Sequence, residues 1–174
     1  MMKDAIRVLI DEEEVDARIN MVAQEINKDY YGKTLHLICV LKGGAFFMCE
    51  LAKRITIPLS MDFMYVSSYG SGTVSSGNVK IKKDLDEPIE GKNVLIVEDI
   101  IDSGRTLKSL CGILRGRNPE SLEVCTLLDK PDRRIVDVDV KYSCFNIPDE
   151  FVVGYGLDYD QKYRNLPYIG VVEI

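Results

Sequence analysis

The chain has 174 residues, 46% of them hydrophobic, which suits one compact domain with a substantial core and excludes a disordered or fibrous protein. A net charge of −6 and an isoelectric point near 4.9 leave no broad basic face, so general nucleic-acid and membrane-surface binders are excluded and any anion must be bound locally. No apolar run approaches the roughly 18 residues of a membrane helix. The amino terminus lacks a signal-type apolar stretch, and the five cysteines (Cys39, Cys49, Cys111, Cys125 and Cys144) form no C-x-x-C pair, which together predict a reduced, cytoplasmic protein.

In chain order the first signal is a helix over residues 12–31. Val15, Ile19, Val22 and Ile26 recur at helical spacing, Asp11 and Glu14 are placed as a capping box, and Gly32 follows as a stop. Residues 35–41 are an apolar run leading through Lys42, Gly43 and Gly44 into a helix over Ala45–Arg54, the strand, turn and helix of a βαβ unit. His36 inside that run has no histidine or cysteine partner at metal-ligand spacing and reads as structural. Residues 67–78 are rich in serine and glycine and read as a mobile lid; the competing reading is a plain exposed hairpin between strands at 61–66 and 79–81.

Residues 94–97 are four consecutive apolar residues, the pattern of a central parallel strand buried on both faces. Ligands in open α/β sheets sit beyond the carboxyl ends of such strands, so Glu98, Asp99 and Asp102 are placed where chemistry happens. The turn Ser103-Gly104-Arg105-Thr106 opens a helix over 103–115 that carries Leu107, Leu110, Cys111 and Leu114 on one face and stops at Gly116. Its backbone N–H groups, two hydroxyls and dipole favour a phosphate, while the neighbouring carboxylates require a ligand part that donates hydrogen bonds or carries a cation. A phosphate next to a diol is a ribose 5-phosphate. An ordinary capping role for Asp102 or Ser103 is compatible with the same residues. A further strand over 122–128 ends in the charged run 129–134, and residues 151–153 make a last short strand. There is no internal repeat or linker, so the chain reads as a single α/β domain spanning 1–174.

Neither G-x-x-x-x-G-K-[ST] nor a helix-opening G-x-G-x-x-G is present. The stretch Glu98-Asp-Ile-Ile-Asp-Ser-Gly-Arg-Thr106, following Val-Leu-Ile-Val, resembles residue by residue the phosphoribosyl pyrophosphate motif of the type I phosphoribosyltransferases. Asp102 resembles the branch acting on 6-oxopurines, the hypoxanthine-guanine phosphoribosyltransferases. Leu41 to Gly44, Ser68-Tyr69, Lys130, Phe151 to Tyr155, Asp158 and Arg164 fall in that family's order, so the resemblance covers nearly the whole chain.

The resemblance implies a central, mostly parallel sheet flanked by helices, a small hood built from the amino- and carboxyl-terminal segments, and a flexible lid over about 67–83. It implies transfer of the phosphoribosyl group from phosphoribosyl pyrophosphate to N9 of hypoxanthine or guanine, giving IMP or GMP and pyrophosphate, with Mg²⁺ as cofactor. Glu98 and Asp99 would hold the ribose hydroxyls, directly or through metal and water. Ser103, Gly104, Arg105 and Thr106 would clamp the 5′-phosphate, and Asp102 would be the base at purine N7. Lys42, Gly43 and Arg164 would bind pyrophosphate, the loop of Lys42 and Gly43 carrying the family's unusual cis peptide. Lys130 would donate to the purine O6, Phe151 would stack on the ring, and Val152 would offer a backbone contact. Asp158 would touch the metal with Glu98 and Asp99, and Ser68 and Tyr69 would close over the reaction. A homo-oligomer, dimer or tetramer, without nucleic-acid or membrane partners, is also implied. A xanthine-preferring enzyme is the nearest rival. An RNA-binding regulator on the same fold is a second, against which the acidic charge and Asp102 both argue.

Overall fold

The computed structural model describes residues 5–68 and 79–173. Its frame is a six-stranded sheet in the order β4-β3-β2-β5-β6-β7, with strands β2 (Leu35–Leu41), β3 (Leu59–Ser68), β4 (Val79–Lys83), β5 (Asn93–Ile101), β6 (Ser121–Asp129) and β7 (Tyr142–Asn146). All neighbours are parallel except β3 and β4, which pair antiparallel at one edge. The two hairpin strands expected around 61–66 and 79–81 are therefore present and longer; the stretch 69–78, with Tyr69 and most of the expected lid, lies outside the described residues.

Helices α1 (Glu12–Asp29) and α2 (Ala45–Arg54) cover one face and α3 (Arg105–Arg115) the other. The capping box at the start of α1 forms as expected: Glu14 N–H donates to Asp11 Oδ1 at 2.9 Å, and Asp11 N–H donates to Glu14 Oε2 at 3.3 Å. Three acids in its first turn also suit the positive end of the helix dipole. The helix ends at Asp29, two residues short of the expected 31, because Tyr30 leaves helical geometry while its N–H still closes onto the Ile26 carbonyl.

Strand β5 alternates its side chains between two cores. Leu95 and Val97 pack with Leu37, Cys39, Phe47 and Met48 beneath α1 and α2, whereas Val94 and Ile96 pack with Ile38, Leu107, Leu110 and Leu114 beneath α3. Each such buried aliphatic side chain contributes roughly 1.5–3 kcal/mol, so the sheet is anchored most firmly along the strand that carries the acidic motif. All five cysteines are free; only Cys49 is exposed.

Three strands were not anticipated: β1 (Ala5–Ile10), β7, and β9 (Ile169–Glu173). Strands β1, β9 and β8 (Val152–Val153) form a separate antiparallel sheet in the order β1-β9-β8, which is the small hood. The short strand at 151–153 therefore belongs to this second sheet, and β9, not β8, is the last strand in the chain. The hood meets the large sheet at a seam of backbone: a Cβ placed on Gly156, whose φ is +99°, would lie 2.0 Å from the Gly43 carbonyl oxygen.

Candidate active site

Strand β5 runs on past Val97 to Ile101, so Glu98 and Asp99 lie inside the paired strand and only Asp102 lies beyond it. Consecutive side chains point to opposite faces, and this splits the acidic pair. Glu98 continues the Val94 and Ile96 face and lines a cavity of about 220 Å³ together with Asp102, Ser103, Gly104, Thr106 and Leu107. Asp99 continues the Leu95 and Val97 face and turns toward the 42–44 loop, so closely that a Cβ on Gly43 would lie 1.6 Å from its Oδ2. Gly43 is thus required for the closeness of that loop to the carboxylate. Burial drives the proton affinity of Glu98 well above the usual carboxylate range, and Asp99 beside it adds to the effect. Burial likewise pushes Asp99 up to about 6, against the opposing influence of the Ile100 N–H, which donates to Oδ1 at 2.7 Å, and of Arg164.

Helix α3 starts at Arg105, two residues later than expected, because Gly104 takes a left-handed φ of +80° and the turn Asp102 to Gly104 stays open in front of the helix. Ser103 Oγ accepts the Arg105 N–H at 3.3 Å. Asp102 is not the cap: its half-exposed carboxylate lies 3.6 Å from the Lys130 ammonium. Lys130 follows β6, the parallel neighbour of β5, and its N–H donates to the Ile101 carbonyl at 3.0 Å, so the two strand ends are tied together. Its side chain is buried, with its ammonium also 3.8 Å from Asp149.

The cis peptide expected at this loop is present one residue earlier, between Leu41 and Lys42. Lys42 Nζ donates to Gln161 Oε1 at 3.4 Å, and Arg164 Nη2 donates to the same oxygen at 3.3 Å. Arg164 also pairs with Asp158 at 2.9 Å and donates through Nη1 to the Gly156 carbonyl at 2.7 Å. Asp158 Oδ2 accepts the Gln161 N–H at 2.8 Å, so its carboxylate is engaged by its own loop. Among the described residues no group of three metal-ligating side chains gathers, and Asp158 does not join Glu98 and Asp99 in one cluster. Phe151 is half exposed and meets the Tyr159 ring edge-on at 5.6 Å, while Val152 is buried in the hood. Ser68 is the last residue of β3, its backbone paired with Val79.

Sequence reasoning missed Asp149, Gln161, Tyr159 and Gly156. The first three are ordinary loop residues with no motif of their own. Gly156 left a signal in the alternation Gly154-Tyr-Gly156, both glycines adopting positive φ.

Residues 9–160 match the family model described as the phosphoribosyl transferase domain. The chain is 52% identical over 171 residues to a hypoxanthine-guanine phosphoribosyltransferase of Streptococcus thermophilus, covering 98% of this chain and 95% of that protein. It is 54% identical over 173 residues to a hypoxanthine phosphoribosyltransferase of Buchnera aphidicola, covering 98% of each. A crystal structure of a hypoxanthine phosphoribosyltransferase from Staphylococcus aureus superposes with a TM-score of 0.94 at 53% identity, covering 96% of this chain and 91% of that one.

Proposed function

The chain belongs to the phosphoribosyltransferase family, and on that premise we propose that it is a cytoplasmic purine-salvage enzyme, a Mg²⁺-dependent hypoxanthine phosphoribosyltransferase that also accepts guanine. Residues 1–174 act as one catalytic domain, in a homo-oligomer.

The observation that carries this reading is the Lys130 ammonium 3.6 Å from the Asp102 carboxylate, at the ends of adjacent strands and beside the 103–106 turn. A 6-oxopurine presents an acceptor at O6 and a proton-exchanging nitrogen at N7 on one edge. Lys130 supplies only donors and so selects O6 over the amino group of adenine. Asp102 takes the N7 proton as the N9 bond to the sugar forms. Phe151, fixed by Tyr159, stacks on the purine, and Val152 contributes a backbone contact.

The N–H groups and hydroxyls of Ser103 to Thr106 at the start of α3 hold the 5′-phosphate. Glu98, lining the same cavity, accepts from the ribose hydroxyls. A carboxylate turned toward the 42–44 loop fits a divalent cation, since Mg²⁺ needs only one or two protein carboxylates when substrate oxygens complete its shell. Asp99 would hold it at that loop, Glu98, on the other face of β5, would reach it only through ribose hydroxyls or water, and Asp158 would join once its ion pair to Arg164 opens; the metal would neutralise charge on the departing pyrophosphate. Lys42, the Gly43 N–H and Arg164 bind that pyrophosphate, which displaces Gln161 from both cations. Ser68 and Tyr69 close over the sugar and exclude water from its cation-like transition state. The test is an initial-rate comparison of hypoxanthine, guanine, xanthine and adenine with phosphoribosyl pyrophosphate and Mg²⁺: turnover of the first two supports the reading, and no turnover of any purine refutes it.

A further inference from the structure

The run Asp129 to Arg134 delivers Lys130 to the purine side, and that leaves Arg134 unexplained. Its side chain crosses to the phosphate turn. A Cβ on Gly104 would lie 3.0 Å from Arg134 Cδ, so the arginine stem packs directly against the one left-handed residue of that turn. The two residues after it hold the same turn from behind, the Ile135 and Val136 N–H groups both donating to the Ser103 carbonyl at 3.0 and 3.2 Å. At its far end the guanidinium forms a short charge-assisted hydrogen bond to Asp129, the last residue of β6 and the neighbour of Lys130. Its Nε is buried with no hydrogen-bond partner among the described residues, so the anchorage of the guanidinium rests on Asp129.

We infer that Arg134 is a positioning residue for phosphate binding: anchored to Asp129, it braces Gly104, while the Ile135 and Val136 N–H groups hold the Ser103 carbonyl, so that the N–H groups of 103–106 converge on one phosphate. It touches no reacting atom. The inference rests on the phosphoribosyl reading of the 103–106 turn, and it adds that the Arg134 side chain joins the purine-side strand end to the phosphate turn alongside the backbone hydrogen bonds already described.

Calorimetric titration of the full chain with ribose 5-phosphate and, separately, with magnesium pyrophosphate tests it. Arg134→Met keeps the stem and removes the anchor. It should weaken ribose 5-phosphate by about tenfold or more, since misplacing binding groups by about 1 Å carries losses of that order. Magnesium pyrophosphate, held by other residues, should stay within about twofold of the parent. Arg134→Lys, which retains stem and charge, should recover part of the loss. Unchanged ribose 5-phosphate affinity in Arg134→Met would overturn the inference, and so would an equal loss of both ligands, which marks a general structural defect. Should Arg134→Met fail to fold, Asp129→Asn releases the same anchor; a ribose 5-phosphate affinity equal to the parent's would then overturn the inference, and a selective loss would support it. Failure of the parent protein itself to bind ribose 5-phosphate would remove the phosphoribosyl reading, and this inference with it.

Discussion

Replacing Asp99 with asparagine should make the protein more stable at neutral pH while crippling it. Asp99 is packed, partly buried, against Gly43, and its carboxyl is raised from an ordinary 3.8 to about 6, first by desolvation. A carboxyl with a raised folded-state value binds its proton more tightly folded than unfolded, so ionising it costs stability as pH rises through 3.8 and on to 6. Each tenfold change in proton affinity is about 1.4 kcal/mol, so the cost above pH 6 is roughly 3 kcal/mol; Arg164 and the relaxation of Glu98 reduce what a substitution recovers. Asparagine keeps an oxygen for the Ile100 N–H and carries no charge to repel Glu98. The expected gain is about 1–3 kcal/mol at pH 8, falling to about 0.5 kcal/mol at pH 4 and vanishing below about pH 3, where the parent carboxyl is protonated in both states. Urea unfolding at both pH values, with the slope of the transition monitored, measures it. An Asp99→Asn protein less stable than the parent at pH 8, or one whose gain is undiminished at pH 4, would refute the burial argument.

The remaining predictions concern the same few side chains. Asp102→Asn, which leaves the 103–106 turn and the metal acids in place, should preserve phosphoribosyl pyrophosphate binding in a titration and lower turnover of hypoxanthine by about 10²- to 10⁴-fold, the usual worth of a positioned base; unchanged turnover removes Asp102 from the chemistry. Gly43→Ala drives a methyl group into the Asp99 carboxylate, 1.6 Å away, and should cost about 1–3 kcal/mol by overpacking together with most of the activity. Thermal unfolding and rates of that variant, both equal to the parent's, would show that the loop moves aside freely.

The legible parts of the molecule were those with a local cause. The period of Val15, Ile19, Val22 and Ile26 and the Asp11 to Glu14 box set α1, and the apolar run before Glu98 marked the central strand. The hood was invisible to pattern because β1 and β9 depend on each other across the length of the chain, Ala5 opposite Glu173 and Val8 opposite Gly170, and β1 fully buries only Ile10. The acidic pair reads in sequence as one functional unit, yet the period of the strand divides it, giving Glu98 to the cavity beside the 103–106 turn and Asp99 to the 42–44 loop. Gln161 could not be found from its neighbours in sequence, since its role consists of meeting Lys42, 119 residues away.

The seam between Gly43 and Gly156 has a consequence for how such a protein can change over time. Two backbones in direct contact leave no side chain there to vary, so neither position offers a lineage a graded series of substitutions to explore. On the proposed reading of the purine site, adaptation toward new bases would begin at the rim, where Phe151 stands half exposed against Tyr159, and leave the joint as it was inherited.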